Sequence, residues 1–301
     1  MSLLAITGGT GFVGGRLIDL ATAAGHEVRA LARRPQPARP GVTWIEGALD
    51  TPDALARLVR SADAVIHVAG VVNAPDRAGF AAGNIAGTRA MVDAATAAGA
   101  QRFIHVSSLA AREPGLSNYG WSKAGAEQVV AASPLDWTMV RPTAIYGPGD
   151  MEIRDMFRIA KLGLALLPPR GRMSVVEVGD LARLLLRLVA VDPGRVVLDA
   201  DDGVEGGWSH EDFARAIGVA VGRRIMPLAL PRGLLSLAAT GDRLFRGAGA
   251  KLTADRVAYL CHPDWTIDPD HRPDPALWQP EVPTPEGLAA TAAWYRANGL
   301  L

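Results

Sequence analysis

The sequence predicts an α/β fold, a doubly wound parallel sheet followed by a smaller C-terminal lobe. Three observations support this prediction. Short apolar strands alternate with amphipathic helices through the first half, the pattern of parallel βαβ units. A glycine-rich run, Thr7-Gly8-Gly9-Thr10-Gly11-Phe12-Val13-Gly14, directly follows the first strand. The length of 301 residues and the apolar content of 49% are sufficient for a large core.

The first half of the chain contains six predicted strands. They lie near residues 3–7, 27–32, 42–45, 64–69, 102–107 and 136–141. Helix starts between them are marked by capping residues. Thr51 precedes Pro52, for example, and Leu55, Leu58 and Val59 follow at helical spacing. This alternation predicts a sheet wound in both directions from its first strand.

Beyond residue 142 the alternation loosens, and this change sets the predicted domain boundaries. A stretch rich in proline, glycine and leucine is followed by a strand-like segment at 174–178 and a helix from Asp180. A terminal helix begins at Thr284-Pro285-Glu286. The predicted domains are a sheet domain of residues 1–150 plus about 174–205, and a substrate-binding lobe of about 151–173 plus 206–301.

The glycine run lies at a strand-to-helix turn and predicts a dinucleotide site, as in a Rossmann fold. Gly8 permits the tight turn, Gly11 lets the backbone approach a diphosphate, and Gly14 lets the helix pack against the strand. A flexible turn would also use glycine, but the flanking strand and helix favour the dinucleotide site. The other predicted contacts within the run are Thr10, Phe12 and Val13.

The second strand indicates which dinucleotide binds. It ends in Arg33-Arg34, where an acidic residue would favour NAD and an arginine accommodates the 2′-phosphate of NADP. A guanidinium can grip a phosphate with two parallel hydrogen bonds. The sequence therefore predicts NADP rather than NAD. The alternative is that both arginines only solvate the loop leading to Pro35.

Composition narrows the partners and the compartment. Lysine plus arginine (31) equals aspartate plus glutamate (31), so no net charge draws the chain to nucleic acid or to a membrane. The single cysteine, Cys261, excludes an internal disulfide, and no signal-like leader precedes the first strand, so we expect a cytoplasmic protein. The six histidines show no metal-ligand spacing, and no metal site is predicted.

A catalytic constellation is predicted where a helix begins at Tyr119. Lys123 lies one turn further on the same face, and its ammonium is expected to lower the pKa of the phenol toward neutral pH. Such a tyrosine can exchange a proton with a carbonyl or alcohol oxygen. Ser107 and Ser108 follow a strand at its carboxyl end; Ser108 could hold the substrate oxygen, whereas for Ser107 an ordinary strand-end hydrogen bond is preferred.

With these features, the chain resembles the short-chain dehydrogenase/reductase superfamily, of the extended or epimerase/dehydratase type. The resemblance covers nearly the whole chain. The motifs that carry it are TGGTGFVG at 7–14, VIHVAG at 65–70, NIAGT at 84–88, YGWSK at 119–123 and RPTAIYGPGD at 141–150.

The resemblance implies a triad made by Ser108, Tyr119 and Lys123, with Asn84 as an accessory member. Tyr119 would act as the acid or base, and Lys123 would also bond the nicotinamide ribose. The further cofactor contacts that it implies are Val68 and Ala69 on the adenosine side and Pro142 near the nicotinamide.

The leading functional hypothesis is hydride transfer between NADP(H) and a small or partly apolar carbonyl or alcohol. One alternative is a sugar-nucleotide epimerase that holds NAD tightly, and another is a non-catalytic accessory protein that binds NADP. Two departures from the family bear on these hypotheses. Gly47-Ala48-Leu49 lacks the aspartate that often contacts adenine, and Leu109 and Ala110 replace the acidic pair of related dehydratases, which disfavours dehydration.

The helices near 85–98 and 119–132 are rich in alanine, and small residues permit close approach of helices. Because family members often pair through these two helices, the resemblance also implies a homodimer. The alternative is that both helices only cover the sheet.

Overall fold

A computed structural model of the chain describes residues 1–247 and 252–301. Its strands are β1 (Leu3–Thr7), β2 (Glu27–Ala32), β3 (Val42–Glu46), β4 (Ala64–His67), β5 (Arg102–Val106), β6 (Trp137–Pro142), β7 (Ala144–Tyr146), β8 (Leu164–Leu167), β9 (Arg172–Met173), β10 (Val175–Glu177), β11 (Val196–Ala200), β12 (Trp208–Ser209), β13 (Met226–Ala229) and β14 (Asp264–Trp265). Its helices are α1 (Phe12–Ala23), α2 (Pro52–Val59), α3 (Arg77–Phe80), α4 (Gly87–Ala97), α5 (Asn118–Ala131), α6 (Arg154–Lys161), α7 (Val178–Ala190), α8 (His210–Val221), α9 (Arg232–Arg246), α10 (Ala254–Leu260) and α11 (Thr284–Ala297).

The largest sheet has seven strands in the order β11-β6-β5-β4-β1-β2-β3. The strand pairs from β6 to β3 are parallel. The order reverses at β1, so the sheet is doubly wound and Rossmann-like, as the sequence predicts. All six predicted strands are present within two residues of their predicted ends. The carboxyl ends of β1, β4, β5 and β6 consequently lie side by side along one edge.

Both faces of the central strands are buried, which explains why their sequences read as continuous apolar runs. Residues at alternate positions, such as Ala5, Val65 and Phe103, pack in one cluster with Leu58 of α2 and Met91 of α4. Burying each of the four larger side chains, those other than Ala5, contributes roughly 1.5–3 kcal/mol. The core therefore fixes the sheet edge on which the candidate site is built.

The described chain divides into two compact units. The first consists of Met1–Pro142, Leu181–Asp199 and Pro273–Trp278, and it contains every predicted catalytic and cofactor-binding residue. The second consists of Thr143–Asp180, Ala200–Arg272 and Gln279–Leu301. The functional roles assigned to two domains from the sequence remain predictions, since compactness alone does not assign a role.

The second unit has its own core. Phe157 of α6, Phe213 of α8 and Tyr295 of α11 are buried together, and the rings of Phe157 and Tyr295 meet edge to face with centroids 5.2 Å apart. The Tyr295 hydroxyl donates to the Asp150 carbonyl at 2.7 Å. The described residues of this unit also form two two-stranded sheets and one three-stranded sheet.

Local details differ from the sequence expectation in two places. The seventh strand of the large sheet, Val196–Ala200, was not predicted. The side chain of Thr51 makes no capping bond to the start of α2; its hydroxyl accepts from the Ala48 amide instead. Among the described residues, no helix has both the length and the apolar character needed to cross a membrane.

Candidate active site

The glycine run forms the turn between β1 and α1, and two of its glycines are required by the backbone. Gly8 has φ +73°, and a Cβ there would lie 2.8 Å from the Ala69 amide nitrogen. A Cβ on Gly14 would lie 2.1 Å from the Gly8 carbonyl oxygen. These contacts confirm the turn and packing roles predicted for Gly8 and Gly14.

The start of α1 fits an anionic group. Gly11 caps the helix without a side-chain hydrogen bond, so the amides of Phe12, Val13 and Gly14 have no intrahelical acceptor. Gly11 and Thr10 are exposed, whereas Phe12 and Val13 are partly buried. An exposed helix N-terminus behind a glycine turn suits a pyrophosphate, because free amides and the helix dipole both favour negative charge.

The end of β4 runs beside this turn. The Thr7 hydroxyl accepts from the Ala69 amide at 3.1 Å and is paired with His67 Nδ1 at 2.7 Å. Val68 and Ala69 are partly buried, and both contact the space that a Cβ on Gly8 would fill. The predicted adenosine-side residues and the glycine turn are thus adjacent.

Ser108 and Tyr119 are brought together by a close approach of α5 to the short 3-10 turn Leu109–Arg112. A Cβ on Gly120 would lie 2.6 Å from the Ala110 carbonyl oxygen, so glycine permits the contact. Ser117 caps α5 by accepting from the Gly120 amide at 2.9 Å. The hydroxyls of Ser108 and Tyr119 are hydrogen-bonded.

The pKa of Tyr119 corrects a sequence expectation. Burial raises its pKa above the ordinary value, and the Ser108 hydrogen bond opposes that rise. The expected net shift of the Tyr119 pKa toward neutral pH was therefore wrong in direction, because burial of the phenol dominates. The phenol stays protonated at neutral pH, which is the form that can donate a proton.

Lys123 is almost completely buried, and its Nζ donates to the Val106 carbonyl at 2.8 Å. Burial lowers its pKa to about 8, while the carboxylate of Glu127 acts in the opposite direction. The ammonium therefore loses its proton not far above neutral pH.

Asn84 lies in a π-helical turn, Ala81–Ala86, and its amide is fully hydrogen-bonded. Its Oδ1 accepts from the Val71 amide at 2.6 Å, and its Nδ2 donates to the Val71 carbonyl at 2.9 Å and to Ser122 Oγ at 2.8 Å. Ser122 Oγ donates in turn to the Tyr119 carbonyl at 2.8 Å. Asn84 thus links the loop after β4 to the turn of α5 that carries Tyr119 and Lys123.

Sequence reasoning missed a buried ionic group next to Lys123. Glu127 accepts from the Ser107 hydroxyl at 2.6 Å and from two nitrogens of Arg141 at 2.8 and 2.6 Å. Ser107 therefore makes a hydrogen bond at the end of its strand, as the sequence predicted, but the partner, Glu127, was not predicted. The spacing of Lys123 and Glu127, one helical turn apart, was the available signal.

Two buried histidines lie in the sheet below Lys123. The ring of His67 stacks on that of His105 with centroids 5.4 Å apart. His67 Nε2 is also paired with the Thr88 hydroxyl at 3.1 Å, whereas neither ring nitrogen of His105 has a partner in the described part of the chain. Burial, with a smaller contribution from Lys123, lowers the pKa of His67 to about 3 and that of His105 well below its ordinary value.

The remaining predicted contacts lie along the same edge. Arg33 and Arg34 follow β2, are exposed, and have no side-chain ion pair or hydrogen bond within residues 1–247 and 252–301. Pro142 is buried at the end of β6. Together with the glycine turn, the donor set fits a phosphorylated dinucleotide.

The chain is similar to known proteins that bind NAD(P). Residues 8–189 match a family described as NAD(P)H-binding. The chain is 36% identical to a ceramide reductase of Caulobacter vibrioides across 99% of this chain and 96% of that protein. It is 24% identical to the UDP-glucose 4-epimerase of Vibrio cholerae across 97% and 95% of the two chains. The human epimerase family protein SDR39U1, solved with NADPH, shares the fold with a TM-score of 0.75 at 22% identity across 97% and 99% of the two chains.

Proposed function

The chain is an NAD(P)-dependent enzyme of the extended short-chain dehydrogenase/reductase family, and from that premise we propose that it reduces a ketone on a lipid-like molecule with NADPH. The observation that carries the proposal is the nearly full-length similarity to a ceramide reductase. This similarity favours the partly apolar carbonyl substrate expected from the sequence over a sugar nucleotide.

The site supports reduction through its proton donor. When bound, the nicotinamide cofactor supplies the hydride that the carbonyl carbon receives. Tyr119 donates its phenolic proton to the carbonyl oxygen, so the carbonyl becomes a secondary alcohol, and solvent reprotonates the phenolate. The raised pKa of Tyr119 keeps this proton available at neutral pH. Ser108, hydrogen-bonded to Tyr119, orients the same oxygen.

Lys123 supports this step by its charge. Its ammonium is held by the Val106 carbonyl and stabilises negative charge as Tyr119 gives up its proton. Asn84 is a positioning residue in this proposal, since it reaches the catalytic helix only through Ser122. The bonds from Ser122 to Asn84 and to the Tyr119 carbonyl fix the turn that carries both reacting groups.

Replacing Glu127 by glutamine is expected to move the alkaline limb of the pH profile of kcat/KM to lower pH. The carboxylate holds the pKa of Lys123 up, so its loss lets the ammonium deprotonate earlier. At pH 9 the rate should fall by up to about tenfold relative to wild type. The amide oxygen can still accept from Ser107 or Arg141. A Ser107→Ala control should leave the limb in place, and an unmoved limb in Glu127→Gln would refute the coupling.

The preference for NADPH is assigned to Arg33 and Arg34, whose side chains have no described partner that would compete with a phosphate. We expect Arg33→Ala to weaken NADPH binding by roughly 10–150-fold, because a charge-assisted hydrogen bond is worth ~1.5–3 kcal/mol. NADH, which lacks the 2′-phosphate, serves as the internal control and should bind unchanged. Isothermal titration of both cofactors measures this difference, and equal losses for the two would contradict the assignment.

An epimerase is the second candidate, favoured by the similarity to UDP-glucose 4-epimerase over nearly the full length. It would use the same serine, tyrosine and lysine with a cofactor that regains its hydride in each cycle. Cofactor retained through purification, with epimerised UDP-glucose and no net oxidation of NADPH, would favour it over the reductase.

The direct test of the reductase is NADPH oxidation with a panel of ceramide-type long-chain ketones, steroid ketones, short ketones and UDP-glucose. We expect turnover that rises with the apolar length of the ketone, with an alcohol as product. Turnover restricted to short ketones would leave the reductase in place but overturn the lipid-like substrate.

A further inference from the structure

The second compact unit exposes large apolar side chains on α9. Leu234, Leu237, Leu244 and Phe245 fall on one face of this helix by their spacing, and Ala239 is buried on the opposite face. Phe245 is 91% exposed, Leu244 80% and Leu237 68%. Side chains of this kind are usually packed inside, so an apolar stripe turned outward indicates a surface that meets an apolar partner.

The strands β8 and β13, which precede α9 in the chain, form a two-stranded ribbon with the same property. Leu166 pairs with Leu228 in the register, and both are exposed together with Met226. The opposite side of the ribbon is covered, since Ala165 and Leu167 pack in a cluster with α8. The ribbon therefore has one buried face and one apolar face without a described neighbour.

The charge of the segments around this apolar surface indicates which kind of partner it contacts. Residues 156–176 and 213–241, which contain the ribbon and most of α9, hold eight arginines and lysines and no aspartate or glutamate. Five of these cations are exposed and have no ion pair with any described residue. They are Lys161, Arg170, Arg223, Arg224 and Arg232. The net charge of zero, which argued against an anionic lipid partner, averages over this local excess.

We propose that α9 and the β8–β13 ribbon form a docking face for an anionic phospholipid bilayer. Apolar side chains of an interfacial helix enter the headgroup region, and nearby arginines and lysines attract anionic headgroups. A second copy fits less well, because a symmetric pair would bring the same unpaired cations opposite one another. The proposal goes beyond the reductase function, and vesicle binding is measured without turnover.

The test is sedimentation of the full chain with vesicles of phosphatidylcholine alone and of phosphatidylcholine and phosphatidylglycerol in equal parts. Wild type should sediment with the anionic vesicles, much less with the neutral ones, and should be released as salt rises. Binding to neither kind, or equal binding to both, would overturn the proposal.

Two pairs of substitutions locate the face. Leu237→Ser with Phe245→Ser should weaken binding at least about tenfold by removing apolar insertion. Arg223→Glu with Arg224→Glu should weaken it at least about 25-fold, since each cation near the surface contributes about fivefold. The matched control is Arg57→Glu with Arg60→Glu, the same charge change at the C-terminal end of α2 in the first unit, which should bind nearly as wild type. Thermal melts establish that each variant is folded.

The variants also separate the alternatives. Binding unchanged in both test pairs, or weakened equally in the control, overturns the proposed face. If light scattering shows a dimer that Leu237→Ser with Phe245→Ser dissociates, the apolar stripe is covered by a second copy and the bilayer is ruled out as its partner. A turnover failure with normal vesicle binding would count against the proposed substrate and leave the docking face standing.

Discussion

Tyr119→Phe is expected to lower kcat for ketone reduction by about 10²–10⁴-fold, the usual contribution of a general acid. The substitution removes only the hydroxyl that hydrogen-bonds Ser108. The ring remains beside Phe80, whose centroid is 6.3 Å away, so the fold and the cofactor site should persist. Stopped-flow and steady-state assays of NADPH oxidation measure the loss, and fluorescence titration measures cofactor binding.

The matched control is Tyr259→Phe, which removes a phenol hydroxyl from α10 in the second unit. It should retain kcat within a few-fold. Ser108→Ala should lower kcat in the same direction as Tyr119→Phe, whereas Ser107→Ala should act weakly, since its hydroxyl bonds Glu127 rather than the tyrosine. Turnover at the wild-type rate in Tyr119→Phe would show that the phenol takes no part in the reaction.

Acid is expected to destabilise the protein because His67 and His105 are buried in the neutral form. Both have pKa values lowered by folding, that of His67 to about 3, so the unfolded chain takes up protons below pH 6.5 and the folded chain does not. Stability is therefore lost as pH falls. Between pH 7 and pH 5 His67 should reduce the free energy of unfolding by about 2 kcal/mol, and His105 acts in the same direction.

Protonation of Asp150 has the opposite effect on the free energy of unfolding as pH falls. Burial raises its pKa to about 6, so the folded protein takes up this proton first and gains about 1 kcal/mol over the same interval. The loss of stability caused by the two histidines is expected to exceed this gain. Urea unfolding at the two pH values, followed by circular dichroism, measures the net loss.

His105→Phe isolates the histidine contribution. Neither ring nitrogen of His105 has a described partner, so phenylalanine leaves no hydrogen bond broken, and the stability lost between pH 7 and pH 5 should be smaller than in wild type. His67 is unsuitable for this test, because its replacement would strand the hydroxyls of Thr7 and Thr88. If the variant lost as much stability between pH 7 and pH 5 as wild type, the claim that His105 is buried in its neutral form would be refuted.

The sequence contained enough information to predict the first half of the fold, because strands buried on both faces read as apolar runs and Gly8 marks the turn. The strand Val196–Ala200 was not predicted, although Asp192-Pro193-Gly194 forms a turn just before it, in which the Gly194 amide donates to Asp192 Oδ1 at 2.9 Å. Its place beside β6 depends on long-range pairing that local patterns do not encode.

The sequence predicted which residues form the candidate site, but it did not predict the burial, hydrogen bonds and ring contacts around them. Spacing placed Tyr119 and Lys123 on one helical face, yet the direction of the tyrosine pKa depends on burial, which one helix does not reveal. The bond between Arg141 and Glu127 joins residues 14 positions apart on different elements. The stacking of His67 on His105 likewise follows from strand pairing rather than from local sequence.

The central claim is net hydride transfer to a lipid-like ketone, and the most direct measurement follows deuterium from NADPH labelled at nicotinamide C4. With a ceramide-type long-chain ketone, we predict an alcohol with one deuterium on the carbinol carbon, and almost none in the same time with Tyr119→Phe. Unlabelled ketone recovered intact, while UDP-glucose is epimerised without net loss of label from the cofactor, would contradict the reductase.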